Sequence, residues 1–173
     1  MSMTVRISKP EFNLREKLTE LDYDRVPFQK MPGGSILQVV YAQTRTQQVT
    51  TSQSFVDATN MFVDISPRFL NSEMLITVHT VGQVSGNRAR FDIHKSTTNS
   101  RISGHSSDDG TNYSISAFEG NAINHVVHFT IRDTANTTEL IRYKLQFNNT
   151  GGSQTFVQGN YSVGTITVME IKQ

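Results

Sequence analysis

Two stretches of the chain decide its fold: HVVHFTIRD at residues 125–133 and ELIRYKLQF at residues 139–147. In both, apolar and polar residues alternate, which places one set on each face of a β-strand. Residues 134–138 between them are short and polar, and this spacing predicts an antiparallel hairpin. A lone hairpin is unstable in water, so we expect its apolar face to pack against a second sheet.

Length and composition set the broad class of the protein. The 173 residues suffice for one domain, or for one domain with an arm. A net charge of +1 provides no broad positive field, so we expect no direct contact with nucleic acid. The absence of cysteine excludes disulfides and thiolate metal sites. The sequence has no apolar run of about 18 residues and no signal-peptide core, so we expect neither a signal peptide nor membrane contact.

The first 34 residues are predicted to form an N-terminal arm, because they hold 11 of the 31 charges. Ser8 and Glu11 match a capping box, which predicts one short helix at about residues 8–22. A helix of this length does not persist alone, so it packs on its own domain, on another copy, or on a partner. For the third case, the side chains that would anchor the helix are apolar: Phe12, Leu14, Leu18 and Leu21.

Residues 35–173 are predicted to form an all-β domain. Short alternating segments follow one another, separated by residues typical of turns, with no helical pattern between them. This arrangement is typical of an antiparallel β-sandwich, and within that class it favours a jelly roll. Besides the two opening stretches, the predicted strands are residues 36–43, 53–56, 60–65, 74–84, 88–95, 112–118, 153–158 and 164–171.

The first and last strands of this domain are apolar on both faces. Such a strand is buried on both sides, so something must cover its outer face. The two strands could pair with each other, and their outer side would be covered either by the arm helix or by another subunit. For the second case, the predicted subunit interface consists of Leu37, Val39, Tyr41, Met169 and Ile171.

The sequence offers no residues for catalysis, and we expect a protein without enzymatic activity, cofactor or metal. A metal site of the cupin type needs two histidines in a His-x-His pattern on one strand. No such pair occurs, and His125 and His128 lie three apart in a strand, so they face opposite sides. Asp108 to Asn112 lacks the ligand spacing of a calcium loop. No serine lies in a nucleophile elbow.

Several motifs, in their order along the chain, resemble a domain of virion structural proteins in tailed phages, especially marine and cyanobacterial ones. Residues 9–18 resemble a leader seen ahead of such domains. The motifs within the domain are PGGSILQVV at 32–40, TTSQSFVD at 50–57, DISP at 64–67, MLITV at 74–78, YKLQF at 143–147 and TITVMEI at 165–171.

The resemblance implies a jelly roll like the trimeric heads of complement- and tumour-necrosis-type domains. It implies use on virions as a fibre tip or as a capsid decoration. The short arm favours a homotrimer that decorates or cements the capsid of a virion assembled in the host cytoplasm. The arm would contact the major capsid protein or another virion protein. The alternative is a tail-fibre or receptor-binding tip whose loops, near residues 99–112 or 148–152, contact host surface glycans. The family carries no catalytic residues, so none are transferred to this chain.

Overall fold

The computed structural model describes residues 26–102, 114–158 and 162–173, without the side chains of residues 121–123. Its described part is an all-β fold with one short 3-10 helix, Phe28–Lys30. The strands in that part are β1 (Ile36–Thr44), β2 (Gln48–Thr50), β3 (Val56–Ile65), β4 (Glu73–Lys95), β5 (Ser100–Arg101), β6 (Ser116–Thr134), β7 (Ile141–Asn149), β8 (Thr155–Val157) and β9 (Gly164–Ile171).

The long strand β4 organises the antiparallel sheet. Along one edge it pairs with β6 over most of its length. Along the other edge it pairs in turn with β9, β8 and β7. Strand β1 continues the sheet beyond β9, and β3 continues it beyond β7. The two ends fold over each other so that β3 lies against β1 and β9. The result is the predicted antiparallel β-sandwich of the jelly-roll type.

The core lies between the two layers and consists of the inward side of each strand. Its largest fully buried side chains include Tyr143, Phe91, Phe147 and Met61. Phe91 stacks on Phe147, with ring centroids 6.3 Å apart. Burying a large apolar side chain stabilises a fold by about 1.5–3 kcal/mol. The alternation in β7, where Ile141, Tyr143, Leu145 and Phe147 are buried, therefore fixes which face of the strand points inward.

The segment Ser85-Gly86-Asn87 differs from the sequence-based expectation. We predicted a turn between two strands, but β4 continues through it, with irregular register between Val84 and Arg88. Gly86 has a φ of 143° and Asn87 a φ of 59°, backbone conformations that glycine and asparagine adopt more readily than most residues. The positive φ values are therefore used for a bulge that redirects the strand, rather than for a reversal.

The predicted hairpin between residues 125–133 and 139–147 is wrong in its pairing. Both stretches are strands, β6 and β7, and both alternate as expected. However, β6 pairs with β4, whereas β7 pairs with β3 and β4. The connecting residues 135–140 carry the chain from one layer of the sandwich to the other. Alternation determines which side of a strand is buried, but it does not determine the neighbouring strand.

The predicted pairing of the first and last strands is confirmed. β1 and β9 are antiparallel neighbours, with Val40 opposite Val168 and Tyr41 opposite Thr167. The chain divides between Pro32 and Gly33 into two units. In the first unit, the Lys30 N–H donates to the Pro27 carbonyl and closes the 3-10 turn. Residues 1–25 lie outside the described part, so the arm helix at 8–22 stays a prediction.

Candidate interaction surface

The outward side of strands β1, β9, β4 and β6 forms a continuous surface that we call the open face. The pairing of these four strands aligns their outward side chains in rows that run across the sheet. Val81 of β4 and Val126 of β6 lie side by side at one end. The other rows are Val39, Met169, Leu75 and Arg132; then Tyr41, Thr167, Thr77 and Thr130; and then Gln43, Thr165, His79 and His128.

Large apolar side chains on the open face remain in contact with solvent. The exposed fractions are 51% for Val39, 70% for Tyr41 and 68% for Val126. Met169 and Leu75, which lie beside Val39 in its row, are half-buried. Val39, Tyr41, Met169 and Leu75 are neighbours in adjacent rows, whereas Val126 lies beside Val81 at the opposite edge of the face. Single exposed apolar residues are common on protein surfaces, but a group of neighbouring ones marks a site of interaction.

The five residues of the predicted subunit interface differ in how much of each side chain is exposed. Val39 and Tyr41 point outward and are exposed, and Met169 and Ile171 are half-buried. Leu37 is only 7% exposed and belongs to the interior. The register of β1 on β9 shifts between Ile36 and Gln38, so the bulge turns Leu37 away from the side predicted by alternation. Leu37 is therefore removed from the interface set.

The four apolar residues of the predicted anchoring helix cannot be placed on any surface. The helix was predicted at residues 8–22, and residues 1–25 fall outside the described ranges. The role of the arm in anchoring stays a prediction. Its residues are Phe12, Leu14, Leu18 and Leu21.

The open face carries little charge. At its edge, the Arg132 guanidinium lies 3.0 Å from the Glu73 carboxylate, so these charges neutralise each other. The row of Tyr41 and the row of His79 contain no acidic or basic residue other than the histidines. An uncharged surface is easier to desolvate than a charged one, because burying an unpaired charge is costly.

The opposite layer has a different outer surface, covered by ion pairs. Burial alone would raise the pKa of Asp57, but hydrogen bonds from Lys144 and Gln146 outweigh it and lower that pKa. The Arg142 guanidinium donates two hydrogen bonds to Asp64, at 2.7 and 2.6 Å, and lowers the pKa of that carboxyl. The charges on this surface are already paired within the chain and hydrated, so burying them against another protein would gain little free energy.

A buried polar cluster beneath β4 is the strongest candidate for chemistry, but its groups bind one another. The Tyr143 hydroxyl donates to Asp133 at 2.6 Å, and the Lys95 ammonium lies 2.7 Å from the same carboxylate. Lys95 also donates to the Thr134 carbonyl at 2.8 Å. Burial, followed by the bond to Asp133, raises the pKa of Tyr143 far above its ordinary value. The arrangement stabilises the fold and holds the tyrosine in its protonated form.

The loop near residues 148–152, at the end of β7, was one of two loops predicted to contact glycans in the alternative function. Asn148 and Asn149 are buried, so their side chains do not face solvent. The Asn149 side-chain oxygen accepts hydrogen bonds from the backbone N–H groups of Gly151 and Ser153, both at 3.0 Å. These asparagines therefore hold the loop in shape. The other predicted loop, near residues 99–112, falls mostly within residues 103–113, which are outside the described ranges.

Metal-binding groups of three or more side chains and membrane-spanning helices are both absent from the described ranges. Across residues 26–102, 114–158 and 162–173, no three or more histidine, cysteine or acidic side chains form a group that could hold a metal. Among those same residues, no helix is long and apolar enough to cross a membrane.

Comparison with known proteins shows a likeness of fold but no related sequence. No protein-family model matches the sequence. No curated protein matches it either. Among solved structures, the fold is similar to the one described as "Structure of Eiger TNF from S. frugiperda". That likeness has a TM-score of 0.37 and 10% sequence identity, and it covers 78% of this chain and 92% of the other.

Proposed function

We propose that this protein is a non-enzymatic structural component of a tailed-phage virion that self-associates through its open face and decorates the capsid. The observation that carries the proposal is the apolar group on the open face that Val39 and Tyr41 form with Met169 and Leu75. Removing one large apolar side chain from water contributes about 1.5–3 kcal/mol. Several such residues on each subunit favour association, against the entropic cost of bringing the copies together.

The partner that suits this face is a second copy of the chain. A symmetric assembly brings identical surfaces close together, so a patch with net charge would repel itself. The open face avoids that repulsion, because its central rows are uncharged and Glu73 is paired with Arg132 at its edge. Threonine hydroxyls in the row of Tyr41 add short polar side chains that can bond across an interface.

The trimeric state and the capsid role are supported by the resemblance of the sequence motifs to virion proteins of tailed phages. In this proposal the domain forms the homotrimer, and the arm attaches the trimer to the major capsid protein or another virion protein. The virion, assembled in the host cytoplasm, is the site of action. No catalytic residue and no cofactor enter the proposed function.

The experiment that tests the capsid role compares the full chain with a variant lacking residues 1–30. Both proteins are added to purified particles that lack this protein, and the bound copies are counted by quantitative mass spectrometry. We expect hundreds of full-length copies per particle and none of the truncated chain, which retains its far-ultraviolet spectrum of β-structure. Full incorporation of the truncated protein would contradict anchoring through the arm.

A tail-fibre or receptor-binding tip is the second candidate. A shallow depression of about 490 Å³, lined mainly by polar residues that include Asn71, Glu73 and Arg132, is the observation that favours it. Amide, guanidinium and carboxylate groups are the types that bind sugar hydroxyls. Copy number separates the two functions, since a fibre tip would occur in a small multiple of the tail symmetry instead of hundreds of copies.

A further inference from the structure

Two histidines form a pair across neighbouring strands on the open face. His79 of β4 lies directly opposite His128 of β6 in the antiparallel ladder. Their ring centroids are 5.9 Å apart, and the rings meet edge to face at 60°. Both side chains are exposed, so the space between the rings is accessible to an ion from solution.

The imidazole nitrogens of this pair are free to bind a ligand. Neither ring has a hydrogen bond or an ion pair within the part of the chain that the structure describes. The neighbouring positions in the two strands are Thr77 and Val81 beside His79, and Val126 and Thr130 beside His128. None of these four is charged, so no lysine or arginine beside the pair repels a cation.

We propose that His79 and His128 together bind a divalent transition metal such as Zn²⁺. Neutral imidazole is a ligand suited to zinc, copper, nickel and iron, whereas calcium and magnesium prefer oxygen. Two imidazoles supply two coordination positions, and water fills the others. The described residues add no third histidine, cysteine or carboxylate to the pair. The expected affinity is therefore lower than that of a structural zinc site with four protein ligands.

The geometry of the pair suits this role. Two imidazoles that bind one tetrahedral zinc at about 2.1 Å have ring centroids about 5 Å apart. Small side-chain rotations, which exposed residues make rapidly, would shorten the separation of the ring centroids from the observed 5.9 Å to this distance. The backbones beneath the rings are fixed by the pairing of β4 with β6. The Thr77 and Thr130 hydroxyls, 3.1 Å apart in the next row, can orient metal-bound water.

Zinc chloride titration of the full chain at pH 7.5, followed by calorimetry, tests the site. We expect one zinc per chain, with affinity at least about tenfold weaker in His79→Gln and in His128→Gln. The zinc affinity of the double variant should be no lower than that of either single variant, because removing one ligand already destroys a chelate. His94→Gln is the matched control, since it removes an imidazole from β4 at a distance from the pair, and it should bind zinc like the wild type.

The proposal would be overturned by a wild-type chain that binds no zinc, or by a double variant that binds zinc as tightly as the wild type. It would also be overturned if the loss of binding free energy in the double variant equalled the sum of the losses in the two single variants, because the histidines would then act independently. Substitutions at exposed positions usually change stability by less than about 0.5 kcal/mol, so the variants of His79 and His128 are expected to fold. Side-chain NMR of the histidines gives a second readout, in which zinc must shift the signals of His79 and His128 together. Both histidines lie on the open face, so the same titration of Tyr41→Ser separates zinc binding by a single chain from binding that depends on self-association.

Discussion

Val39 of β1 lies directly opposite Met169 of β9, and both side chains point away from the core. Leu75 of β4 is the next residue in the same row, paired with Met169. The first and last strands of the domain therefore meet a central strand in an apolar row on the surface. This row explains why both end strands are apolar on two faces, and it is the physical basis of the proposed self-association.

Tyr41→Ser and Val39→Ser should weaken self-association without unfolding the domain. Both side chains are exposed in the isolated chain, so their removal costs the fold little. An interface that covers them would lose part of the about 1.5–3 kcal/mol that full burial of a large apolar side chain contributes. Sedimentation velocity at several concentrations should show a smaller average mass. Leu140→Ser is the matched control, because Leu140 is 58% exposed but lies outside the open face. An unchanged mass in all three variants would exclude this surface as the interface.

Glu170→Gln should destabilise the fold by about 2–3 kcal/mol, because charge-assisted hydrogen bonds to a buried carboxylate are lost. Glu170 is fully buried and accepts from the Ser72 hydroxyl at 2.5 Å, the Arg68 N–H at 2.6 Å and the Gln38 amide at 2.6 Å. These bonds tie the segment before β4 to β9. Urea unfolding followed by circular dichroism measures the change.

Glu73→Gln provides the control for Glu170, since it also neutralises one carboxylate near the same end of the sheet. Glu73 is only half-buried, and its partner Arg132 is exposed, so the expected loss is less than about 1 kcal/mol. Equal effects from the two substitutions would show that the bonds made by Glu170 are not the source of its stabilisation.

Tyr143→Phe should be less stable than the wild type by about 1–2 kcal/mol at pH 8, because it loses the hydrogen bond to Asp133. The pKa of Tyr143 is raised in the folded chain, whereas an unfolded tyrosine ionises near pH 10. The stabilisation is therefore complete below about pH 10 and is lost as the pH rises above it, by up to about 1.4 kcal/mol per pH unit.

Urea unfolding of both proteins between pH 8 and pH 11 checks this dependence. The stability difference between wild type and Tyr143→Phe should narrow above pH 10, since the other tyrosines are common to both. A constant difference across this range would mean that Tyr143 ionises in the folded chain as easily as in the unfolded one.

Gly82→Ala should destabilise the domain by about 1–3 kcal/mol through overpacking. A Cβ at this position would lie 2.9 Å from the tip of the Phe118 ring and 3.1 Å from that of Phe91. Both rings are packed, with Phe118 stacked on Phe91 and on His125, so neither can move away freely. Thermal unfolding measures the loss. A rise in stability would mean that the rings rearrange around the methyl group.

Much of the fold follows from local sequence patterns. β9 was predicted with the bounds that the structure shows, and β1 differs only by the inclusion of Thr44. Both strands have turn residues on their flanks and apolar residues on both faces, so their limits and their pairing could be inferred together. The short strands β2 and β5 were missed, because three and two residues are too few to show a pattern.

The partners of the strands could not be predicted in the same way. β6 and β7 were assigned to one hairpin, yet each pairs with β4, because alternation carries no information about sequence-distant neighbours. For the same reason, the pairing of the two histidines could not be predicted from the sequence. A metal site was expected to need two histidines on one strand, whereas His79 and His128 are 49 positions apart and meet only through the register of β4 on β6.

The mass of the purified full chain in solution, measured by light scattering, tests self-association most directly. The proposal predicts a mass near three times 19.4 kDa for the wild type and a shift toward 19.4 kDa for Tyr41→Ser. A mass of 19.4 kDa for the wild type at concentrations up to those of assembling particles would contradict the central claim that copies of this chain join through the open face.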